Sequence, residues 1–234
     1  MKSTFSPTSQ PPSGSRKSLS DEVASYIREQ IMSGELRPGQ YIRMERIAEA
    51  GGMSITPVRE ALVSLSGDGF VTAVPRRGFI VEPFSRQDVR DLFWTQAQLS
   101  GELAARAAVR ITEEDLAQLR ILMEEGDAAV ARGEDETAGL LGHRFHRTIN
   151  RAADSDRLAR LLASVVKHLP NHFYTSIEGN VRDSPDEHHR ILAALTARDA
   201  EQARELAAAH LNAHATHVVT MLEERGLWSD EPQD

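Results

Sequence analysis

A helix start followed by a strand-turn-strand pattern constrains the N-terminal part of this chain more than any other feature. Ser54 is predicted to cap a helix by accepting from a backbone N–H one turn on, and Pro57 falls in the first turn, where its missing N–H costs nothing. Two short apolar runs, residues 70–74 and 79–81, then flank the turn Pro75-Arg76-Arg77-Gly78. The order predicts a short helix followed by a two-stranded hairpin.

Another short helix precedes this one. Met44, Ile47 and Ala48 recur at helical spacing, and Gly51-Gly52 then turns the chain. Two helices joined by a short turn with glycine form a helix-turn-helix, whose second helix enters the major groove of DNA with its N-terminus first. With a further helix predicted over residues 19–33, the pattern indicates a winged helix-turn-helix domain.

Polar and cationic side chains of this domain are predicted to contact DNA. Thr56 and the first backbone amides of the helix can hold a phosphate, and Arg59 can bind O6 and N7 of guanine together. Arg76 and Arg77 at the hairpin tip suit a phosphate backbone or a narrow minor groove. Each fragment alone also fits an ordinary helix start or a solvated turn, but their order and spacing favour DNA binding. The predicted DNA-binding set is Arg43, Arg46, Ser54, Thr56, Arg59, Arg76, Arg77 and Gly78.

The net charge of −8 is unusual for a DNA-binding protein, but the charge is unevenly distributed. Residues 1–18 carry three cations, and residues 19–83 carry seven cations against nine anions, so most of the negative charge lies further along the chain. Affinity for DNA must therefore come from a local arginine cluster and from dimerisation rather than from a basic domain.

Composition also limits the other classes of protein. There is no apolar run long enough to span a bilayer, and the Ser- and Pro-rich start, residues 1–18, is predicted to be a disordered tail rather than a secretory signal. A cytoplasmic protein with no membrane partner is expected. Because the chain has no cysteine, disulfides and thiolate metal sites are excluded, and any metal must be held by His, Asp or Glu.

From residue 84 onward the pattern changes to amphipathic helices, with apolar residues at intervals of three and four. The fold class is therefore mainly α: residues 19–83 form the winged domain, and residues 84–234 form an antiparallel six-helix bundle, a common place for a ligand pocket. Asp199 with Gln202 predicts the start of the last helix, and Gly226 its end. The six helices are predicted over residues 85–110, 112–132, 134–153, 156–176, 184–197 and 199–226.

All nine histidines lie between His143 and His217. Pairs three or four residues apart share a helix face, so two imidazoles can converge on one metal ion or one anion. A single histidine is more simply explained as a surface or core residue, whereas one inward histidine from each of three helices favours a binding site.

With these motifs in place, the sequence resembles the GntR family of bacterial regulators, in the FadR-like branch with an all-helical, FCD-type effector domain. The resemblance runs from about Leu19 to Leu227 and is most specific around residues 54–62. It implies a ligand-responsive regulator, a repressor, that binds a palindromic DNA operator as a homodimer and takes a small organic-acid effector. One departure is Ile55, where the family usually has Arg. Ile cannot donate a hydrogen bond, so either the operator differs or the arginines listed above carry the affinity.

The resemblance also implies a metal site. In the family an Asp, a His four residues later and one His from each of two later helices hold a divalent ion, which assigns His146, His188 and His210 here and places Gly142 at the Asp position. Zinc or nickel would suit three imidazoles, with occupancy falling as pH drops through the imidazole range, about 6.5. Gln96 stands where the family carries an Arg that grips a ligand carboxylate. The predicted effector-binding residues are Gln96, His143 and His214, of which either histidine could also supply a fourth group.

Three alternatives stay open at this point. The same histidines could form a metal-free pocket that binds an anion directly. They could instead serve a metal-dependent enzyme, since zinc held by three histidines activates water, although no acidic residue is plainly placed as a general base and no hydrolase motif is found. Finally, the chain could be a helical interaction protein whose winged domain binds another protein.

Overall fold

The computed structural model describes residues 18–169 and 185–228. The predicted disordered tail lies outside these residues, apart from Ser18, and so does the end of the helix predicted over residues 156–176. By its contacts the chain divides into two compact units. We call Met1–Ser85 with Leu222–Asp234 the winged unit and Arg86–Met221 the helical unit. Helices dominate both, which confirms the mainly α class.

Among its described residues, the winged unit contains three complete helices: α1 Leu19–Met32, α2 Met44–Ala50 and α3 Ile55–Gly67. A reciprocal capping box between Ser18 and Asp21 begins α1. Helices α1 and α3 pack together through apolar side chains spaced three or four apart, which are fully buried. These side chains are Val23, Ile27, Ile31, Val58, Leu62 and Leu65.

The sheet of the winged unit has three strands, not the predicted two. They are β1 Tyr41–Ile42, β2 Val71–Val74 and β3 Gly78–Val81, in the order β1-β3-β2 with both pairs antiparallel. The prediction missed β1 because two residues cannot show alternation. Backbone bonds extend its pairing with β3: Gly39 N–H donates to Val81 O, and Val81 N–H donates to Gln40 O.

A C-terminal tryptophan belongs to the winged unit as well. The Trp228 side chain is buried, and its Nε1–H donates to the carbonyl of Phe84 over 2.6 Å. The Phe84 ring stacks on Phe70, with ring centroids 5.6 Å apart. The guanidinium of Arg28 lies over the ring of Phe70, and its Nη2 forms an ion pair with Oδ2 of Asp68 at 3.0 Å. This chain of aromatic contacts ties the C-terminal segment into the fold of the unit.

Six helices follow among the described residues, and all six predicted helices are found there. Their ends agree with the predictions within two residues, except that α7 ends at Val166, ten residues earlier than predicted. Asp199 Oδ1 accepts from Gln202 N–H over 3.0 Å and Gly226 has a φ of 79°, which confirms the predicted start and end of the last helix. No helix in the described ranges has the length and apolarity needed to cross a bilayer. The six are α4 Arg86–Arg110, α5 Glu113–Arg132, α6 Asp135–Ala152, α7 Asp156–Val166, α8 Pro185–Thr196 and α9 Ala200–Glu224.

One apolar core fixes how α6, α8 and α9 meet in the helical unit. Phe145 and Ile149 from α6, Ile191 from α8, and Ala203 and Ala207 from α9 belong to the same buried cluster. Because His146, His188 and His210 each lie one to three residues from one of these core positions, packing the apolar faces brings the three imidazoles to one place.

Candidate functional site

The N-terminus of α3 is exposed and lacks a side-chain cap. Ser54 occupies the N-cap position with a ψ of 164°, as predicted, but its side chain makes no capping hydrogen bond, so that part of the prediction is wrong. The first turn also has no acidic residue, whereas α1 and α5 both begin with a capping box and acidic side chains. The positive end of the α3 dipole is therefore available to an external anion such as a DNA phosphate.

Helix α3 has one buried and one exposed face. The side chains of Ile55, Thr56 and Arg59 are exposed, while Val58 and Leu62 lie in the core. Thr56 and Arg59 are three residues apart and Ile55 is four residues before Arg59, so all three neighbour one another on the outer face. The structure thus places Thr56 and Arg59, two predicted DNA-binding residues, beside Ile55, the position where the family usually has Arg.

The hairpin tip makes its two arginines unequal. Arg76 is exposed at the tip with a φ of 63°, and Gly78 has a φ of 98°, a conformation that favours glycine. The Arg77 guanidinium lies 4.7 Å from the ring centroid of Tyr41 in β1. This cation–π contact orients Arg77, and it could not be predicted because it depends on the missed strand β1.

The remaining predicted cations lie on α2. Arg43 is the N-cap residue of that helix and Arg46 follows three positions later, and both side chains are exposed. Neither takes part in the apolar core of the winged unit. Their contact with DNA stays a prediction.

In the helical unit, three imidazoles converge. Nε2 of His146 lies 3.1 Å from Nε2 of His188 and 3.2 Å from Nε2 of His210. Nitrogens that share one ion at about 2.0–2.1 Å stand about 3.0–3.4 Å apart, so the spacing fits a common metal ion. We call these three residues the histidine centre. It contains the three residues that the family resemblance assigned as metal ligands, and the ligand atoms of all three lie within 4.8 Å of one another.

Burial keeps these imidazoles neutral. Loss of hydration, with neighbouring histidines adding to it, holds the pKa of His146 and of His210 well below the ordinary value of 6.5. Burial likewise lowers the pKa of His188 to about 4. Neutral imidazole is the form that binds metals, so proton competition should begin at lower pH than the sequence-based expectation of about 6.5.

The other predicted effector residues occupy different settings. His214 is 4% exposed, its ring centroid is 4.3 Å from that of His210, and burial lowers its pKa to about 4. Gln96 is only 1% exposed, on α4. His143 is exposed and is not among the residues whose ligand atoms converge in the described part of the chain. Gly142 lies one helical turn before His146, so no carboxylate extends from that position.

Sequence reasoning missed one residue of this site. Oε2 of Glu187 lies 2.7 Å from Nδ1 of His210. The only signal in the sequence was its position next to His188, which gives no reason to pair it with a histidine 23 residues away.

A metal held by the centre would act as a Lewis acid toward an effector oxygen.

The winged helix-turn-helix with its exposed α3 and the separate helical unit define a DNA-binding transcription regulator. Residues 19–81 match the family described as bacterial regulatory proteins, gntR family, and residues 91–213 match the FCD domain. The chain belongs to the GntR family of regulators that carry an FCD domain. Together the two matches extend over most of the described residues.

Similar proteins are regulators too. The chain is 29% identical to the HTH-type transcriptional regulator McbR of Escherichia coli K12 over 191 residues, covering 80% of this chain and 86% of that protein. It is 26% identical over 196 residues to the HTH-type transcriptional repressor GlaR of the same organism, covering 80% and 89%. The solved structure of E. coli McbR/YncC matches with a TM-score of 0.63 at 26% identity, covering 90% of this chain and 100% of that one. The chain is thus a transcription regulator and not an enzyme, so the enzyme alternative is wrong.

Proposed function

We propose that this regulator is a homodimeric repressor that binds a palindromic operator and responds to a small carboxylate in its helical unit. The observation that carries the proposal is the convergence of the three neutral imidazoles. Burying a polar group lowers stability unless the group forms hydrogen bonds or binds a ligand, and the histidine centre is far more polar than a helical core requires. A ligand site explains that cost.

On the DNA side, α3 would enter the major groove with its N-terminus first. The uncapped amides and Thr56 would hold a phosphate, and Arg59, one turn further in, would reach a guanine edge. Arg76 at the hairpin tip and Arg77 on Tyr41 would contact the flanking backbone or minor groove. Arg43 and Arg46 would add phosphate contacts from α2.

Dimerisation follows from the small footprint of one winged unit. A single helix-turn-helix reads a short half-site, and two-fold symmetry doubles the contacts on a palindrome. The helical unit also exposes large apolar side chains that a second copy could cover. Those that are more than half exposed are Trp94, Val109, Leu140 and Leu161. The name of GlaR, a repressor, supports the same sign of regulation.

On the effector side, His146, His188 and His210 would hold one zinc or nickel ion. Their neutral donors leave the ion with its full charge, which favours an anionic effector as a further ligand. Gln96, His143 and His214 would contact the rest of the effector. Binding can change operator affinity only if the effector prefers one arrangement of the dimer over the other.

The test starts from selection of bound sequences from random DNA, followed by fluorescence anisotropy with the selected duplex and a scrambled control. We expect a palindromic consensus, two chains per duplex by analytical ultracentrifugation, and weaker binding when zinc and an active member of a small-carboxylate panel are added together. One chain per duplex would contradict the homodimer. Operator affinity that no panel member changes, with or without zinc, would contradict the carboxylate response.

Arg59→Ala should weaken operator binding by roughly 1–3 kcal/mol and relax the preference for one base pair in each half-site, because a bidentate contact to guanine is lost. Anisotropy with duplexes altered at each position measures both effects. Arg132→Ala, which removes an exposed arginine of α5 paired with Glu134, is the control. If binding instead weakens equally for all sequences and the salt dependence falls, Arg59 contacts a phosphate.

Ile55→Arg should tighten operator binding by about tenfold, because it adds a donor beside Arg59 at the N-terminus of α3. The salt dependence of binding should become steeper if the new contact is to a phosphate. Val63→Arg is a matched control, since it adds the same charge at a 60% exposed apolar position two turns along the same helix. Unchanged affinity and salt dependence for Ile55→Arg would show that position 55 does not face the duplex.

A further inference from the structure

Glu187 contacts the histidine centre through one of its members. Its Oε2 lies 2.7 Å from Nδ1 of His210, while Nε2 of the same ring lies 3.2 Å from Nε2 of His146. The His210 ring therefore has a carboxylate on one nitrogen and the centre on the other. Glu187 is half-buried in the first turns of α8, next to His188, and His210 is 4% exposed on α9.

The two distances distinguish two kinds of interaction. A separation of 2.7 Å is a charge-assisted hydrogen bond, and it is too short for two atoms that share one metal ion, which stand about 3.0–3.4 Å apart. Although Glu187, His210 and His214 could together offer three ligand atoms, this contact makes the carboxylate a hydrogen-bond acceptor. The nitrogens of the histidine centre, at 3.1 and 3.2 Å, have the spacing of metal ligands.

A carboxylate can only accept, so the hydrogen of this bond belongs to Nδ1 of His210. The neutral ring carries a single N–H, which leaves the Nε2 lone pair facing His146 and His188. The bond thus selects the tautomer that can bind a metal and fixes the orientation of the ring. It also raises the electron density on Nε2, which strengthens the ring as a donor.

We propose that Glu187 is a positioning residue that holds His210 as the Nδ1–H tautomer and supplies, through that ring, the negative charge that Gly142 cannot supply. The proposal rests on the proposed metal site at the histidine centre. It places the carboxylate outside the ligands rather than among them, so the positions on the ion that no imidazole fills stay open to an effector anion.

The test compares Glu187→Gln, which removes the charge but keeps an acceptor oxygen, with Glu187→Ala, which removes both. Glu205→Gln is the matched control, because it removes one charge from an exposed residue of the same helix as His210. Zinc affinity is measured by competition with a chromophoric chelator. The His210 tautomer is read from the ¹⁵N shifts of the metal-free protein, assigned with His210→Gln.

Glu187→Gln should lower zinc affinity by about 10- to 100-fold, the range typical of partners of metal-binding histidines. Glu187→Ala should lower it at least as much and should abolish the preference for Nδ1–H at His210, while Glu205→Gln matches the wild type in both readouts. If Glu187→Ala does not fold, Glu187→Gln decides.

Two failures are distinguishable. If the wild-type protein binds no zinc but has His210 as the Nδ1–H tautomer, the metal is removed from the proposed function. The role of Glu187 in zinc affinity is then removed as well. Wild-type protein that binds zinc while both Glu187 variants bind it equally well, or a His210 that carries its hydrogen on Nε2, would overturn the role of Glu187 alone.

Discussion

His188→Ala is expected to lower zinc affinity by more than about 100-fold, beyond the loss typical of a residue outside the ligand set. The reason is that it removes the nitrogen that lies 3.1 Å from Nε2 of His146, and two imidazoles cannot complete a zinc site. Zinc that binds only the folded chain raises the melting temperature, so the variant should also lose that rise. Elemental analysis of untagged protein after zinc loading, with thermal unfolding before and after a chelator, measures both.

His189→Ala is the matched control for this experiment. It removes the next imidazole of the same helix, whose Nε2 lies 3.2 Å from Oδ2 of Asp127 and which is not among the described residues whose ligand atoms converge. Zinc content and the chelator-sensitive rise in melting temperature should match the wild type. Equal zinc content in His188→Ala and in the wild type would show that the ion is held elsewhere.

Metal-free protein is expected to lose stability steeply as the pH falls from about 6.5 to about 4. Burial lowers the pKa of His188 and of His214 to about 4, so between these limits the unfolded chain binds protons that the folded chain does not. Each of the two groups then contributes stability that is present above pH 6.5 and lost as the pH falls through 4. The loss is on the order of 3 kcal/mol for each residue. Urea unfolding followed by circular dichroism at a series of pH values measures it.

His214→Leu isolates one of these contributions and leaves the three residues of the histidine centre unchanged. The slope of unfolding free energy against pH between 6 and 5 should fall by about 1.4 kcal/mol per pH unit. A slope that is the same in His214→Leu and in the wild type would mean that His214 is protonated in the folded chain.

The sequence predicted the winged unit well wherever one segment carried its own signal. The helix end at Met32 and the paired strands β2 and β3 follow from apolar periodicity and turn residues, which are local properties. Strand β1 could not be predicted in this way, because its two residues become a strand only by pairing with β3, far along the chain. The cap at Ser54 failed for a related reason. A residue type indicates a cap position, but the rotamer that makes the bond depends on surroundings.

For the histidine centre, periodicity predicted the helices but not which histidines face inward. His188 and His189 are adjacent, yet one joins the centre and the other pairs with Asp127. The family resemblance chose between them, and so it assigned the three ligands. It offered nothing for Glu187, whose partner His210 lies on another helix. A single sequence does not predict a contact between two helices when no motif includes both residues.

The two tryptophans of the chain fall in different units, and this makes each unit separately visible. Trp228, buried and bonded to the Phe84 carbonyl, belongs to the winged unit, whereas Trp94, 60% exposed, belongs to the helical unit. A buried indole emits at shorter wavelength than a hydrated one, so their emission bands differ in the native state. In Trp94→Phe protein, the remaining fluorescence would follow the winged unit alone, so any response of that unit to an added metal or carboxylate could be measured without an attached dye.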